Sequence, residues 1–110
     1  AVFLAEGGSL TRLREDRAVS LEEAAADIAG LDGPITVVGD GAELLYDRLR
    51  REGADCRLAP AHLRLQSAVG VGMAAWRRWP AEAVSAQAIR PSYLRLSQAE
   101  RERLARLGNW

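Results

Sequence analysis

Lysine is absent from this 110-residue chain, and every one of its fifteen cationic side chains is arginine. That removes lysine-based phosphate binding and Schiff-base chemistry, and it reads as a GC-rich coding bias more than a functional selection. The single cysteine, Cys56, excludes an internal disulfide and a cysteine-built metal site, and points to a reducing, cytoplasmic setting. The single histidine, His62, excludes an H-x-x-x-H metal pair within the chain and leaves any histidine-dependent triad resting on one residue. No apolar run approaches the length of a membrane span, and no signal peptide is read at the start. Excess charge is missing as well. Fifteen acidic residues balance the arginines, so no global field draws the chain to nucleic acid or an anionic membrane.

What is present fits one domain with a modest core. The chain opens at Ala1-Val2-Phe3 without a methionine, already within an expected strand, and reads as part of a longer protein. "AVFLAEGGSLTRLRED" predicts two strands around Gly7-Gly8-Ser9, and "RAVS" a short third. Ser20 and Glu23 form an S-x-x-E capping box for a helix whose apolar stripe is Leu21, Ala24, Ala25, Ile28 and Leu31. Asp32-Gly33-Pro34 ends it.

"ITVVG" is continuously apolar and predicts a central strand covered on both faces. The helix after it buries Ala42, Leu45 and Leu49, stops at Gly53, and carries Arg50 and Arg51 in its last turn. "DCRLAP" predicts another strand. A third helix, from about Gln66 to Arg78, sets Val69, Met73 and Trp76 on its core side, with Gly70 and Gly72 there for close packing. Pro80 closes it. "SYLRL" reads as extended, and Ser97 with Glu100 forms a second capping box before a terminal helix.

Strands with crossover helices predict an α/β fold. The expected sheet is mixed and five-stranded, in the order 3-2-1-4-5, with its second strand antiparallel and helices flanking it. That is the ribonuclease-H-like half of the actin-like ATPase fold.

The glycine turn is the first candidate site. Gly39-Asp40-Gly41 begins like G-x-G-x-x-G, but Leu44 stands at the third glycine position, and no G-K-[ST] follows. Asp40 with Glu43 repeats a D-x-x-E capping pattern, and two carboxylates at the positive end of a helix repel a phosphate. Structural capping is therefore preferred to nucleotide binding. Ser67 and Cys56 lack a nucleophile-elbow context, and Glu22, Glu23 and Asp27 read as a solvated helix face. No catalytic, cofactor or metal residues are assigned. In "WRRWP", Trp79 either covers a helix end, the preferred reading, or anchors a partner protein. Arg90, Arg95, Arg101, Arg103 and Arg106 make a basic stripe that Glu100 and Glu102 interrupt, with Glu102 expected to pair with Arg106. Candidate partner contacts are Trp79, Arg90, Tyr93 and Arg95.

"IRPSYLRLSQAE", Ile89 to Glu100, resembles the C-terminal signature of the TsaB (YeaZ) family, in which a proline, an aromatic residue and L-R close the domain. "VVGDGA" is similar to that family's G-D-G-A turn, and "VFLAEG" to its strand after a D-A-R-x-x-E-V-Y segment. "LQSAVGVGMAA" resembles its P-S-A helix, with Gln66 where proline is common. The likeness runs along essentially the whole chain, with P-S-Y-L-R and V-G-D-G-A its specific parts. It implies a ribonuclease-H-like C-terminal lobe over residues 1–95, a tail with a short helix over 96–110, and an N-terminal lobe lying outside the chain. It also implies a non-catalytic subunit without cofactor, partnered by a TsaD-like paralogue and a TsaE-like ATPase. That complex transfers threonylcarbamoyl to the adenosine beside the tRNA anticodon, so tRNA is met only indirectly; self-association is a further expectation. The alternative is a glycoprotease-type peptidase or actin-like ATPase whose catalytic residues lie in the missing lobe.

Overall fold

The computed structural model describes residues 1–108, so Asn109 and Trp110, within the expected tail, lie outside the described residues. The chain divides into two units: Ala1–Ala18 with the described residues from Ile89 onward, and Val19–Ala88.

In the first unit, β1 (Val2–Glu6) and β2 (Ser9–Arg14) pair antiparallel, with Glu6 opposite Ser9. A two-residue turn closes them. Gly7 and Gly8 sit at φ +55° and +79°, left-handed backbone that matches the twist of a tight hairpin and that side chains with a Cβ resist. A register shift between Val2 and Phe3 leaves Leu13 unmatched, with Phe3 opposite Arg12. The Arg12 guanidinium lies 4.7 Å from the Phe3 ring centre and also holds Asp16 at 2.6 Å. The helix of this unit begins at the predicted capping box. The Ser97 Oγ accepts from the Glu100 amide at 3.2 Å, while the Glu100 carboxylate accepts from the Ser97 amide at 3.0 Å.

The second unit holds the buried core. Helix α1 (Leu21–Ala29) starts at the predicted box of Ser20 and Glu23. Its stripe turns inward at Ala25, which is fully buried, and at Ile28. Strand β3 (Ile35–Val37) leads through a turn into helix α2 (Ala42–Arg51), and strand β4 (Cys56–Leu58) returns parallel to β3, Ile35 opposite Cys56. Ala42 and Leu49 of α2 close on Val37 and Ala25, with Leu45 and Leu58 packed around them. Helix α2 ends in a paired cap, the Gly53 amide donating to the Arg50 carbonyl and the Ala54 amide to that of Leu49. A short α3 (Ala61–Arg64), helix α4 (Ala68–Arg78) and a 3-10 turn at Ala86–Ala88 follow. The terminal helix described above becomes α5 (Gln98–Leu107).

The α/β class holds, but the five-stranded sheet does not form. The described residues carry four strands in two separate two-stranded sheets. "RAVS" and "SYLRL" join no ladder; the first runs directly into the Ser20 cap, and Pro91 beside the second lacks an amide donor. Nor is β3 covered on both faces. Thr36 and Arg57 lie on its outer side, joined by a 3.0 Å bond from the guanidinium Nε to the threonine hydroxyl, and Val38 is 62% exposed. The core-side reading of α4 is also corrected, since none of its residues is buried and Trp76 is 78% exposed. Beyond its chain neighbours and the backbone of its own helix, no atom lies within 4 Å of a Cβ placed at Gly72, and Gly70 meets only the hydroxyl of Ser67, the cap of its own helix.

Candidate functional site

The glycine turn sits where β3 hands over to α2. Gly39 takes φ +105°, which favours glycine, and its amide donates to the Arg64 carbonyl at 2.7 Å. The helix N-cap is Gly41, with an ordinary φ of −86° and no side-chain cap bond. The predicted D-x-x-E box is therefore absent. Asp40 instead accepts from the Gly41 amide at 3.1 Å, too early in the chain to reach the second turn residue of the helix. Glu43 turns away and takes the Arg64 guanidinium at 2.5 Å.

Arg64 is the residue that sequence reasoning passed over. Its Nη1 meets Glu43, its Nε donates to the Ala59 carbonyl at 3.3 Å, and its own carbonyl receives Gly39. One residue thus ties the turn after β4, the start of α2 and the glycine turn to α3, the first two through its side chain and the last through its carbonyl. Nothing local signals this, because Glu43 and Arg64 are 21 residues apart and share no periodic pattern. The Asp40 carboxylate sits at the start of α2, so an incoming phosphate meets like charge at the positive end of the dipole. The Arg64 guanidinium is engaged by Glu43 and the Ala59 carbonyl.

The other candidates lie apart. His62 is exposed on α3, and Ser67 is occupied as the α4 cap, accepting from the Gly70 amide at 3.1 Å. Glu22 faces Arg48 at 3.7 Å, and Glu23 serves the α1 cap. The partly buried Cys56 thiol lies 4.0 Å from the Tyr46 carbonyl. Among the described residues no group of three or more His, Cys, Asp or Glu could hold a metal ion. No helix of the described residues is long and apolar enough to cross a membrane.

Trp79 belongs to the second unit. Its amide closes α4 on the Ala75 and Trp76 carbonyls, and its ring is 66% exposed. Arg90, Tyr93 and Arg95 belong to the first unit, on the irregular stretch before α5, where Tyr93 is 87% exposed and Arg90 donates to the Ile89 carbonyl. On α5 the expected Glu102–Arg106 pair is replaced: Glu102 accepts from the Gln98 amide at 2.8 Å. The two Ser97 bonds, that from the hydroxyl first, hold the Glu100 carboxyl below its ordinary value.

Compared with models of protein families, with curated proteins and with solved structures, the chain finds no match. The functional reading consequently rests on the motifs and on the site itself.

Proposed function

We propose that this chain is a non-catalytic scaffold lobe of the TsaB type, which supports threonylcarbamoyl transfer by a TsaD-like paralogue to the adenosine beside the tRNA anticodon. The observation that carries the non-catalytic part is the glycine turn, whose helix start is furnished with Asp40 and Glu43 and whose neighbouring Arg64 is committed to Glu43. The motifs of Ile89–Glu100 and Val37–Ala42 support the family. In this reading a TsaE-like ATPase completes the complex in the cytoplasm, and residues 1–95 form a ribonuclease-H-like lobe when the whole protein is present.

Two measurements test it. Adding ATP with magnesium leaves the melting temperature of the chain unchanged, as it does for Asp40→Ala; a clear shift lost on Asp40→Ala overturns the reading of the turn. Size-exclusion chromatography with the TsaD-like paralogue of the same organism tests the partner, using this chain and an upstream-extended form in parallel. Co-elution of at least the extended form supports the scaffold, and failure of both sinks the family assignment.

A further inference from the structure

We propose that the Asp40–Gly41 bond is a site of spontaneous backbone modification, where the aspartate isomerises through a succinimide to isoaspartate. The reaction needs the next amide nitrogen to reach the side-chain carboxyl carbon, and a Cβ on that next residue crowds the approach. Four of the six aspartates precede Arg17, Ile28, Arg48 and Cys56. Two Asp-Gly bonds are left, Asp32–Gly33 and Asp40–Gly41.

The structure separates these two. The Asp40 Oδ1 accepts from the Gly41 amide at 3.1 Å, so the carboxyl is already folded over the nitrogen that must attack it. Its carbon stands one bond beyond that oxygen. Among the described residues neither the Asp40 carboxylate nor the Gly41 amide has a second partner that would hold it back. Both residues are exposed, so water reaches the bond. Beyond its chain neighbours, a Cβ built on Gly41 meets nothing within 4 Å, which leaves room for a ring. Asp32 is exposed too, but among the described residues its carboxylate takes no bond from the Gly33 amide, and Gly33 sits at φ +89°.

The step balances with water alone. The Gly41 nitrogen bonds to the Asp40 side-chain carbon, and one carboxyl oxygen leaves as water with its own proton and the amide proton. Water then opens the five-membered ring. Attack at the side-chain carbonyl restores aspartate, and attack at the main-chain carbonyl leaves the backbone running through the side chain. That product carries one extra backbone carbon between positions 40 and 41 and a carboxylate on the α-carbon. The bond from the Ala42 amide to the Gly39 carbonyl, 3.2 Å long, spans this link, so the added carbon loosens the entry to α2. The proposal goes beyond the threonylcarbamoyl reading and is independent of it, because the chemistry asks only for this turn and water.

The test ages the full chain in mildly acidic buffer at body temperature for several weeks, folded and in concentrated urea. Isoaspartate is located by electron-transfer fragmentation and by the loss of cleavage by the protease that cuts before aspartate. Methyl transfer from S-adenosylmethionine by an isoaspartyl methyltransferase gives the total. In the folded chain isoaspartate should accumulate several-fold faster at Asp40 than at Asp32. In urea the two rates should converge, since only the fold distinguishes the carboxyls. Gly41→Ala suits the ordinary φ of −86° at that position and should slow the reaction at Asp40 several-fold with circular dichroism unchanged. Asp40→Glu, which would have to close a six-membered ring, should remove it. The proposal is overturned by an absence of isoaspartate at Asp40, by equal or faster reaction at Asp32 in the folded chain, or by an Asp40-to-Asp32 ratio that urea leaves unchanged. An undiminished rate in Gly41→Ala also overturns it.

Discussion

At the scale of single residues, stability concentrates in very few side chains. Among the described residues Leu49 is the largest side chain that is fully buried, and only Ala25, Val37, Ala42 and Ala59 are buried hydrophobics beside it. Leu49→Ala should cost about 2–5 kcal/mol in denaturant unfolding of the second unit, because so small a core cannot collapse over the cavity. Leu44→Ala, at a position 68% exposed on the same helix, should fall within about 0.5 kcal/mol of the parent. Glu100 carries a pH signature. Its carboxyl is held below the ordinary value of 4.5 by the Ser97 hydroxyl and then by the Ser97 amide. A carboxyl with a depressed folded value stabilises the fold above its unfolded value and loses that contribution as pH falls through the folded value. Helicity from α5 should therefore decline below about pH 4.5, and Ser97→Ala should flatten that decline in far-ultraviolet circular dichroism. An identical acid profile for parent and Ser97→Ala would refute the account.

At the scale of elements, local signals and long-range ties separate cleanly. Both S-x-x-E boxes, the Gly-Gly hairpin and the stop at Gly53 were legible because each is made by residues within a few positions of one another. The D-x-x-E reading failed for a reason equally local: one residue of offset made Gly41 the cap and left Glu43 free to find Arg64. That contact joins positions with no sequence relationship, and only the return of β4 beside β3 brings them together. Arg64→Ala should cost about 1 kcal/mol and speed hydrogen exchange at the Gly39 amide, whose acceptor is the Arg64 carbonyl. Unchanged exchange at Gly39 would show that α3 holds its place without the guanidinium.

At the scale of the whole molecule, apolar exposure meets zero net charge. Every described residue from Leu65 onward is exposed, among them Val69, Met73, Trp76, Tyr93 and Leu104, and the isoelectric point is about 6.9. Uncovered apolar surface associates most readily where charge repulsion vanishes. Light scattering across the pH range should peak near 6.9 and fall on either side, and a flat profile would contradict this. The expectation of one five-stranded sheet failed at this same scale. Periodicity says that a segment favours extension, while ladder pairing depends on which edges meet, and Arg17–Ser20 and Ser92–Leu96 meet none. By itself the sequence determined where helices start and stop, how the hairpin turns and which residues of α1 and α2 face inward, since caps, turns and amphipathic stripes are interactions among near neighbours. Tertiary structure alone decided that the sheet is two-stranded and covered on one face, that Arg64 rather than a cap holds the glycine turn, and that α4 is exposed. Those outcomes depend on contacts between distant segments, which no local pattern encodes.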